Sequence, residues 1–385
     1  MRVSSGLVNY GGKNTGQVES RIMGRAGLVI RWGLLPLVLL WASTAPGSAA
    51  PGQPLRKVRF VVGAGTVTPM LSNLTVGQDL GFYREEGIEV DFAAAAGTGG
   101  GMGTVATGAA EFAVSTAPPL LLAAAKGNDL GLITVYTWTR DIHWQFAVRA
   151  DSPIADVREL RGGKIGVQSF GDSAYPGAKA MLREVGVDPE KEVAFVSVGL
   201  GASAGNALQS GQVAALSIWD GAYAAIENLG FKLKYLPLTP GVKELFGAGV
   251  AVRRDALAQN RAMIVGLLRG VTKGTIFVLE NPEAAARVHW KLYPESKPKG
   301  KFEAEALRET IHIIASRSGK FALDPVKMPK YGTNYPKGWE AFVKALDLDP
   351  AKVGDVRRFY TNELIDEANQ FDQEKVRALA RAYKP

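Results

Sequence analysis

Cysteine is absent from the 385-residue sequence, and histidine occurs only three times. The missing cysteines exclude disulfides, a thiolate nucleophile, cysteine-ligated zinc and a lipid-modified N-terminal cysteine. His143, His289 and His312 lie too far apart along the chain to form a local paired-histidine metal motif such as HExxH. The hydrophobic content of 46% and charged content of 21% are nevertheless ordinary for a globular protein, and the length suits about two domains.

The N-terminal region lacks an apolar run long enough for a membrane anchor. The run at 32–42 is about half of the roughly 20 residues that a transmembrane helix needs. Arg21, Arg25 and Arg31 precede it, and small residues follow it. This order is typical of a secretory signal peptide.

We therefore expect residues 1–49 to be an export signal that is removed by cleavage after Ala49, with Met23 as an alternative start. The arginines are not in tandem, which favours the general export route over the twin-arginine route. The mature chain is then expected to be soluble in the periplasm.

The mature chain also lacks a strong excess of either charge. Residues 1–49 carry five basic residues and one acid, so the formal charge of +8 falls to about +4 after cleavage. Acids and bases are interleaved, and the cluster Lys297, Lys299 and Lys301 fits a solvated loop. We expect no nucleic-acid partner.

Short apolar segments alternate with helical patterns along the mature chain, which predicts an α/β fold with mostly parallel sheets. Thr68 and Pro69 mark the start of the first helix, as N-cap and first helical residue. The predicted strands are 58–62, 89–93, 112–115, 130–136, 144–148, 164–167, 193–198, 213–218, 232–235 and 248–252. The later helices are predicted at 173–185, 204–209, 257–280, 283–292, 302–316, 339–345 and 373–382.

No linker separates the first α/β block from the second, and strand-like segments at 144–148 and 248–252 could carry the chain between them. This predicts two α/β lobes joined by a two-strand hinge, followed by a helical C-terminal tail. The first lobe would comprise 50–146 and the return segment 249–385, and the second lobe 147–248. In open α/β sheets, ligands bind beyond the carboxyl ends of the strands. The loops at 65–69, 97–103, 115–119, 169–173, 199–203 and 219–221 would then face the ligand.

Three glycine-rich motifs suggest other chemistry. Residues 199–204 fit the dinucleotide pattern G-x-G-x-x-A with Asp220 downstream, which would indicate an oxidoreductase. Residues 201–205 fit the hydrolase pattern G-x-S-x-G around Ser203, but His289 and His312 lie in helical patterns rather than on a late loop. The turn at 97–103 lacks the ending of a P-loop, although its free N–H groups could bind an anion or a polar ligand edge.

These motifs leave no complete catalytic set, so we expect a binding protein without a cofactor. Hydroxyl side chains near helix starts and aromatic side chains on the same loops are the candidate ligand contacts. Arg140 is the candidate cation for an anionic head, and together the residues favour an aromatic or heteroaromatic carboxylate or sulfonate. The candidate ligand-binding residues are Thr66, Thr68, Gly97, Thr98, Ser115, Thr116, Trp138, Arg140, Ser169, Phe170, Ser173, Tyr175, Gly201, Trp219 and Asp220.

Several short motifs, in this order and spacing, resemble a known family. They are GFYREEGIEV at 81–90, the segment 108–115, DSPI at 151–154, LRGGKIGV at 160–167, the segment 182–189 and NQFD at 369–372. They are similar to the NMT1/THI5-like solute-binding proteins, which include sulfonate, taurine and nitrate receptors of ABC importers. Gly162-Gly163 has one glycine more than the family motif and the helical tail is longer, so the ligand class does not carry over.

The resemblance implies a type II periplasmic-binding fold that clamps a small molecule between two lobes. It also implies an ABC permease as partner and a monomeric receptor that is not an enzyme. A cytoplasmic branch of the family makes the thiamin pyrimidine with a cysteine-rich segment. This chain, which has no cysteine and carries an export signal, does not resemble that branch.

Overall fold

The strands form two mixed five-stranded sheets, as seen in a computed structural model that describes residues 54–384. The first sheet has the order β2-β1-β3-β10-β4 and the second has the order β7-β6-β8-β5-β9. The strands are β1 Arg56–Val62, β2 Ile88–Ala94, β3 Phe112–Ser115, β4 Leu132–Thr137, β5 Trp144–Arg149, β6 Lys164–Val167, β7 Ala194–Ser197, β8 Ala215–Trp219, β9 Leu233–Tyr235 and β10 Gly249–Arg253.

Helices connect the strands and form the C-terminal third of the chain. They are α1 Ser72–Asp79, α2 Thr98–Ala106, α3 Ala117–Ala125, α4 Ala174–Glu184, α5 Ala202–Gln209, α6 Asp220–Asn228, α7 Arg254–Gln259, α8 Arg261–Glu280, α9 Pro282–Leu292, α10 Glu303–Ser318, α11 Pro336–Ala345, α12 Pro350–Val353, α13 Ile365–Ala368 and α14 Gln373–Ala382. Short 3₁₀ turns lie at Pro69–Leu71, Arg84–Glu86, Val157–Leu160, Gly241–Glu244, Pro294–Ser296, Gly319–Phe321 and Val356–Phe359.

The chain passes between the sheets twice, after β4 and again after β9. β1 pairs in parallel with β2 and β3, and β6 pairs in parallel with β7 and β8. The strands next to the crossings run the other way: β10 is antiparallel to β3 and β4, and β5 is antiparallel to β8 and β9. The carboxyl ends of the parallel strands carry the loops that build the site described below.

The predicted α/β class and helical C-terminal tail are confirmed, and all ten predicted strands are present. The prediction of mostly parallel sheets is wrong, because four strand pairs are parallel and four are antiparallel. Two local predictions are wrong. The helix predicted at 257–280 is broken at Asn260, whose backbone leaves the helical region, so α7 and α8 are separate. Thr68 does precede a turn that begins with Pro69, but its hydroxyl makes no capping hydrogen bond, and that turn is 3₁₀ rather than α. The predicted export signal at 1–49 lies outside the described residues.

Helix α8 is the central core helix beside the first sheet. Its length and hydropathy would suit a membrane span, but 83% of its apolar window is buried within the protein. α8 packs against α1, α9 and α14, so its hydrophobic surface faces the protein core.

The GFYREEGIEV segment anchors β2 to α8. Gly87 adopts the left-handed conformation at φ 73°, which glycine alone tolerates without strain, and so turns the chain into β2. Tyr83 is buried against Gly270 of α8, where a Cβ would lie 2.4 Å from the ring. The Glu86 carboxylate accepts a hydrogen bond from Arg269 of α8 at 2.6 Å. The residues of the GFYREEGIEV motif therefore hold β2 against α8, which is a role in the fold and not in ligand binding.

Two helices of the C-terminal tail contact elements that follow strands of both sheets. α10 packs against α6, which follows β8 in the second sheet, and against α9 and the Pro69–Leu71 turn near the first sheet. α11 packs against α3, which follows β3, and against α4, which follows β6. The tail thus links the two sheets and also contacts both crossings, through Arg140 with Ala322 and through α11 with the Gly241–Glu244 turn.

The packing of α4 on β5 depends on the missing side chain of Gly177. A Cβ there would lie 1.9 Å from Nε1 of Trp144, a buried residue of β5. We expect Gly177→Ala to lower the free energy of unfolding by about 2–3 kcal/mol through overpacking. Urea unfolding followed by circular dichroism measures this change.

Gly103→Ala is the matched control, because this helical glycine of α2 has open space at its Cβ position. There the substitution should stabilise the helix by about 0.5–1 kcal/mol. Equal effects at the two positions would contradict the packing described here.

Candidate functional site

Loops from the carboxyl ends of strands in both sheets meet face to face. A Cβ on Gly97, after β2, would lie 2.9 Å from the carbonyl oxygen of Gly171, after β6. A Cβ on Gly221, after β8, would lie 2.6 Å from Sδ of Met70, which follows β1. These contacts define a cleft between the sheets, at the position that the strand order predicts for a ligand.

Residues from both sheets, the crossings and α10 line this cleft. Its enclosed space is about 30 Å³, enough for about one water molecule. An organic solute can enter only if the two walls separate. The lining residues are Gly63, Ala64, Met70, Leu71, Thr98, Val114, His143, Asp172, Ser173, Trp219, Ala248 and Arg317.

Asp220, at the start of α6, is held by two cations from the C-terminal tail. Nη2 and Nε of Arg317 lie 2.6 and 2.9 Å from Oδ1, and Nζ of Lys320 lies 2.9 Å from Oδ2. Burial opposes ionisation of Asp220, but Arg317 and Lys320 outweigh it and hold the pKa of the carboxyl below its ordinary value. This cluster leaves one positive charge in excess beside the cleft.

Asp172, at the start of α4, is the second acid of the cleft and is only 3% exposed. Its Oδ1 accepts a hydrogen bond from the backbone N–H of Ala174 at 2.9 Å. Burial raises the pKa of Asp172 to about 6, although the backbone N–H groups of Ala174 and Ser173 and the charge of Arg317 act in the other direction. Among residues 54–384, no lysine or arginine forms an ion pair with this carboxylate.

His143 lies in the first crossing and also lines the cleft. Burial, assisted by the charge of Arg317, lowers the pKa of His143 well below the ordinary value for histidine, so the ring is neutral at pH 7. Its Nδ1 has no hydrogen-bond partner among the described residues.

Part of the predicted set meets at this cleft. Thr98, Ser173 and Trp219 line it, and Gly97 forms the contact between its walls. Trp219 is 7% exposed and its Nε1 donates to Oε1 of Gln168 at 2.8 Å. Thr116 lies behind Thr98, with the two hydroxyl oxygens 3.4 Å apart.

The other predicted residues lie around the cleft or point elsewhere. Arg140 donates to Asp141 at 3.0 Å and to the carbonyl of Ala322 at 2.7 Å. The Ser115 hydroxyl pairs with Thr134. Phe170 and Tyr175 form an edge-to-face pair, with ring centroids 5.2 Å apart, in a neighbouring groove. Trp138 is buried, whereas Thr66 is exposed. Gly201 is the N-cap of α5. The hydroxyl groups of Thr68 and Ser169 are buried and have no hydrogen-bond partner within the described region.

Nine of the twelve lining residues were not among the predicted contacts, and those with polar or sulfur-containing side chains are Met70, His143, Asp172 and Arg317. The sequence does contain a signal for Asp172. It lies in the predicted loop 169–173 just before a predicted helix start, where an aspartate commonly caps the helix. Arg317 offers no such signal, since it reaches the cleft only through the packing of α10 on α6.

The hydrolase and oxidoreductase alternatives each lack a residue that their chemistry requires. The Ser203 hydroxyl donates to the carbonyl of Val198 at 2.8 Å, and none of the three histidines is hydrogen-bonded to it. Both oxygens of Asp220 are bound to cations, so this acid is not free to bind a ribose as in a dinucleotide site.

Two α/β sheets linked by two crossings, with a ligand cleft between their loops, are the architecture of a two-lobed solute-binding protein. The chain belongs to the family described as NMT1/THI5 like, which matches residues 68–285. This confirms the resemblance found in the sequence, and it identifies the chain as a solute-binding protein of the ABC-importer type.

Characterised relatives span nearly the whole chain. The riboflavin-binding protein RibY of Chloroflexus aurantiacus is 25% identical over 361 residues, which cover 88% of this chain and 97% of that protein. The formylaminopyrimidine-binding protein of Halalkalibacterium halodurans is 26% identical and covers 82% of this chain and 92% of its own length.

A solved structure supports the type II periplasmic-binding fold. The alkanesulfonate-binding protein SsuA from Xanthomonas axonopodis pv. citri, bound to MOPS, aligns with a TM-score of 0.58. It is 16% identical, and the alignment covers 82% of this chain and 98% of SsuA. At this identity the likeness shows the fold alone, and the predicted fold is confirmed.

The contact between Arg317 and Asp220 should dominate the stability of the C-terminal tail. Arg317→Ala leaves a largely buried carboxylate with Lys320 as its remaining cation, so we expect a loss of about 3 kcal/mol in the free energy of unfolding. Chemical unfolding of both proteins at pH 7 measures it.

Arg357→Ala serves as control, because the Arg357–Asp355 pair is exposed, with 80% and 53% of the two side chains accessible. Solvent and salt screen such a pair, so stability should stay unchanged. An Arg317 variant as stable as the control would show that the buried cluster contributes nothing to folding.

Proposed function

We propose that the protein is an exported receptor that captures a small organic solute between two lobes and delivers it to an ABC permease. The lobes are 50–146 with 249–385, and 147–248. The observation that carries this proposal is the cleft itself, whose walls come from both sheets and whose sides are joined by two chain crossings. Separation and closure of the lobes about those crossings let a solute enter and then bury it.

Closure couples binding to delivery. A solute that contacts both walls binds the closed form better than the open form and so shifts the population towards closure. The closed form presents one continuous surface to the permease, and a monomer suffices for this cycle.

The walls offer different chemistry to a solute. α2 begins at the first wall without a side-chain cap, so its free N–H groups favour an anionic or carbonyl-rich edge near Thr98. Trp219 supplies a flat apolar surface on the second wall. We therefore propose a heteroaromatic solute, consistent with the riboflavin and formylaminopyrimidine named for two relatives. Arg140 stays a predicted contact for the head of the solute.

Binding without catalysis is supported by the state of Ser203. Its hydroxyl is occupied by the Val198 carbonyl, and no general base accompanies it among the described residues.

Isothermal titration of the purified mature protein tests the proposed solute. Riboflavin, 4-aminopyrimidine, MOPS and nitrate are the probes, and we expect a heteroaromatic compound to bind best. Trp219→Ala should weaken that binding about 10-fold or more, because a stacked indole in a buried site is a typical hot spot. Phe302→Ala, at a position 87% exposed, is the control and should bind normally.

Small-angle scattering with the best probe should show a smaller radius of gyration at saturation. Binding that leaves the radius of gyration unchanged would contradict hinge closure. Preference for nitrate or MOPS would contradict the heteroaromatic class and leave the receptor function intact.

Export is tested by the mass of the mature protein. Expressed from its own start in a Gram-negative host, the chain should be found in the periplasmic fraction with its first 49 residues removed. Intact-mass spectrometry of that fraction gives the cleavage site directly. Recovery of protein that retains residues 21–45, or of protein confined to the cytoplasm, would show that this segment is not a cleaved export signal.

A further inference from the structure

Two buried acids, Asp172 and Asp220, lie at helix starts on the same wall of the cleft. They differ in the partners that bind their carboxylates. Asp220 is fully engaged by Arg317 and Lys320. Asp172 accepts a hydrogen bond from the Ala174 N–H on Oδ1, the Ser173 N–H also favours its charged form, and no described side chain donates to either oxygen. A buried carboxylate without a cation is costly, so such a group usually serves a ligand or accepts a proton.

Asp172 is buried in this structure but borders two spaces that a solute could occupy when the lobes separate. It lines the cleft with Thr98 and Ser173, and it also lines the neighbouring groove, which has a volume of about 560 Å³. Phe170 and Tyr175 flank that groove. Asp172 therefore borders both spaces, with Phe170 and Tyr175 in the groove and Thr98 at the start of α2 in the cleft.

We propose that Asp172 determines solute specificity by accepting hydrogen bonds from N–H groups of a flat nitrogen heterocycle. The solute would carry an amino or ring N–H donor towards Asp172 and a carbonyl or anionic edge towards the start of α2. This inference rests on the proposed receptor function and names the functional groups that the solute must present.

The charged groups around Asp172 are engaged elsewhere or neutral, so none of them donates a hydrogen bond to its carboxylate. The charge of Arg317 in α10 acts on Asp172, but the Arg317 guanidinium is bound to Asp220, and Lys320 is bound to the same acid. His143 lines the cleft from the first crossing and is neutral, since burial lowers its pKa. α2, on the opposite wall, contributes the uncharged Thr98. A donor from the solute thus completes the set of hydrogen bonds to Oδ2.

Asp172→Asn is the sharpest test. Asparagine can keep its Oδ1 on the Ala174 N–H, so the start of α4 stays capped, but it then turns an NH₂ group towards the cleft. The NH₂ group of the asparagine would then face the N–H group of the compound, and neither can accept a hydrogen bond from the other. Binding of a compound with an N–H edge should therefore weaken about 10-fold or more. Asp355→Asn is the matched control, because this exposed acid accepts a backbone hydrogen bond from Arg357 in the same way at 2.9 Å but lies outside the cleft and the groove, so this variant should bind as the wild type does.

Titration of both proteins uses matched pairs of probes: riboflavin with its N3-methyl derivative, and 4-aminopyrimidine with pyrimidine. We expect the wild type to prefer the donor-bearing member of a pair and Asp172→Asn to lose that preference. Equal binding of both members by the wild type, or an unchanged preference in Asp172→Asn, would overturn the role of Asp172.

The pH dependence is a second readout that a merely structural role would not produce. Because burial raises the pKa of Asp172 to about 6, the carboxylate accepts donors fully above that pH and loses this capacity as the pH falls through it. Wild-type affinity for the donor-bearing probe should therefore fall below pH 6, whereas Asp172→Asn should be flat from pH 5 to 8. A flat wild-type profile contradicts the inference.

The receptor function and this inference fail separately. If the wild type binds only MOPS or nitrate, the inference is wrong while the receptor function stands. If none of these compounds binds, the heteroaromatic class and the role of Asp172 are both wrong.

Discussion

The contact of Arg317 with Asp220 is the constraint on which the arrangement of the cleft depends. It joins the last turn of α10 to the first residue of α6, two elements far apart in sequence, and both partners are largely buried. A buried pair of this kind contributes little net free energy when intact but is costly to break, so it acts mainly to fix one arrangement. α10 is thereby held against the second sheet while its other side contacts α9 and the Pro69–Leu71 turn.

This arrangement gives the two walls of the cleft opposite hydrogen-bonding character. The first wall ends in the uncapped start of α2, whose backbone N–H groups donate. The second wall ends in Asp172 and Asp220, which accept, and the tail cations satisfy only Asp220. A solute that spans the cleft must therefore present an acceptor edge to one side and a donor edge to the other. The net charge of the cleft does not describe this separation of hydrogen-bond donors and acceptors between its two walls.

The sequence was sufficient for the fold because local patterns and the fold agree. The strands are short runs rich in apolar residues between helical patterns, and all ten predicted strands are present. The break at Asn260 was missed because the apolar periodicity continues on both sides of it. Thr98, Ser173 and Trp219 were found at the cleft because strand ends are predictable from the chain.

The rest of the site was hidden for a physical reason. Arg317 lies on a helix 97 residues after Asp220 in the chain, and only the packing of α10 on α6 brings the two together. Asp172 is distinguished by what it lacks, a cation, and a missing partner leaves no pattern in a sequence. The sequence analysis instead chose Arg140 as the cation, whose guanidinium donates to its neighbour Asp141 and to the Ala322 carbonyl.

Helix α8 has a consequence for the unfolded chain on the proposed export route. A chain threaded through a translocon exposes each apolar stretch to the lipid, and α8 has the length and hydropathy of a stop-transfer segment. Arg269 and Lys273 lie near its middle, where a charge opposes membrane insertion by about 2.5–3.5 kcal/mol each. After folding, the same two side chains pair with Glu86 and Glu85. On that proposed route, the charges that pair in the folded core would also oppose insertion of this helix into the membrane before it folds.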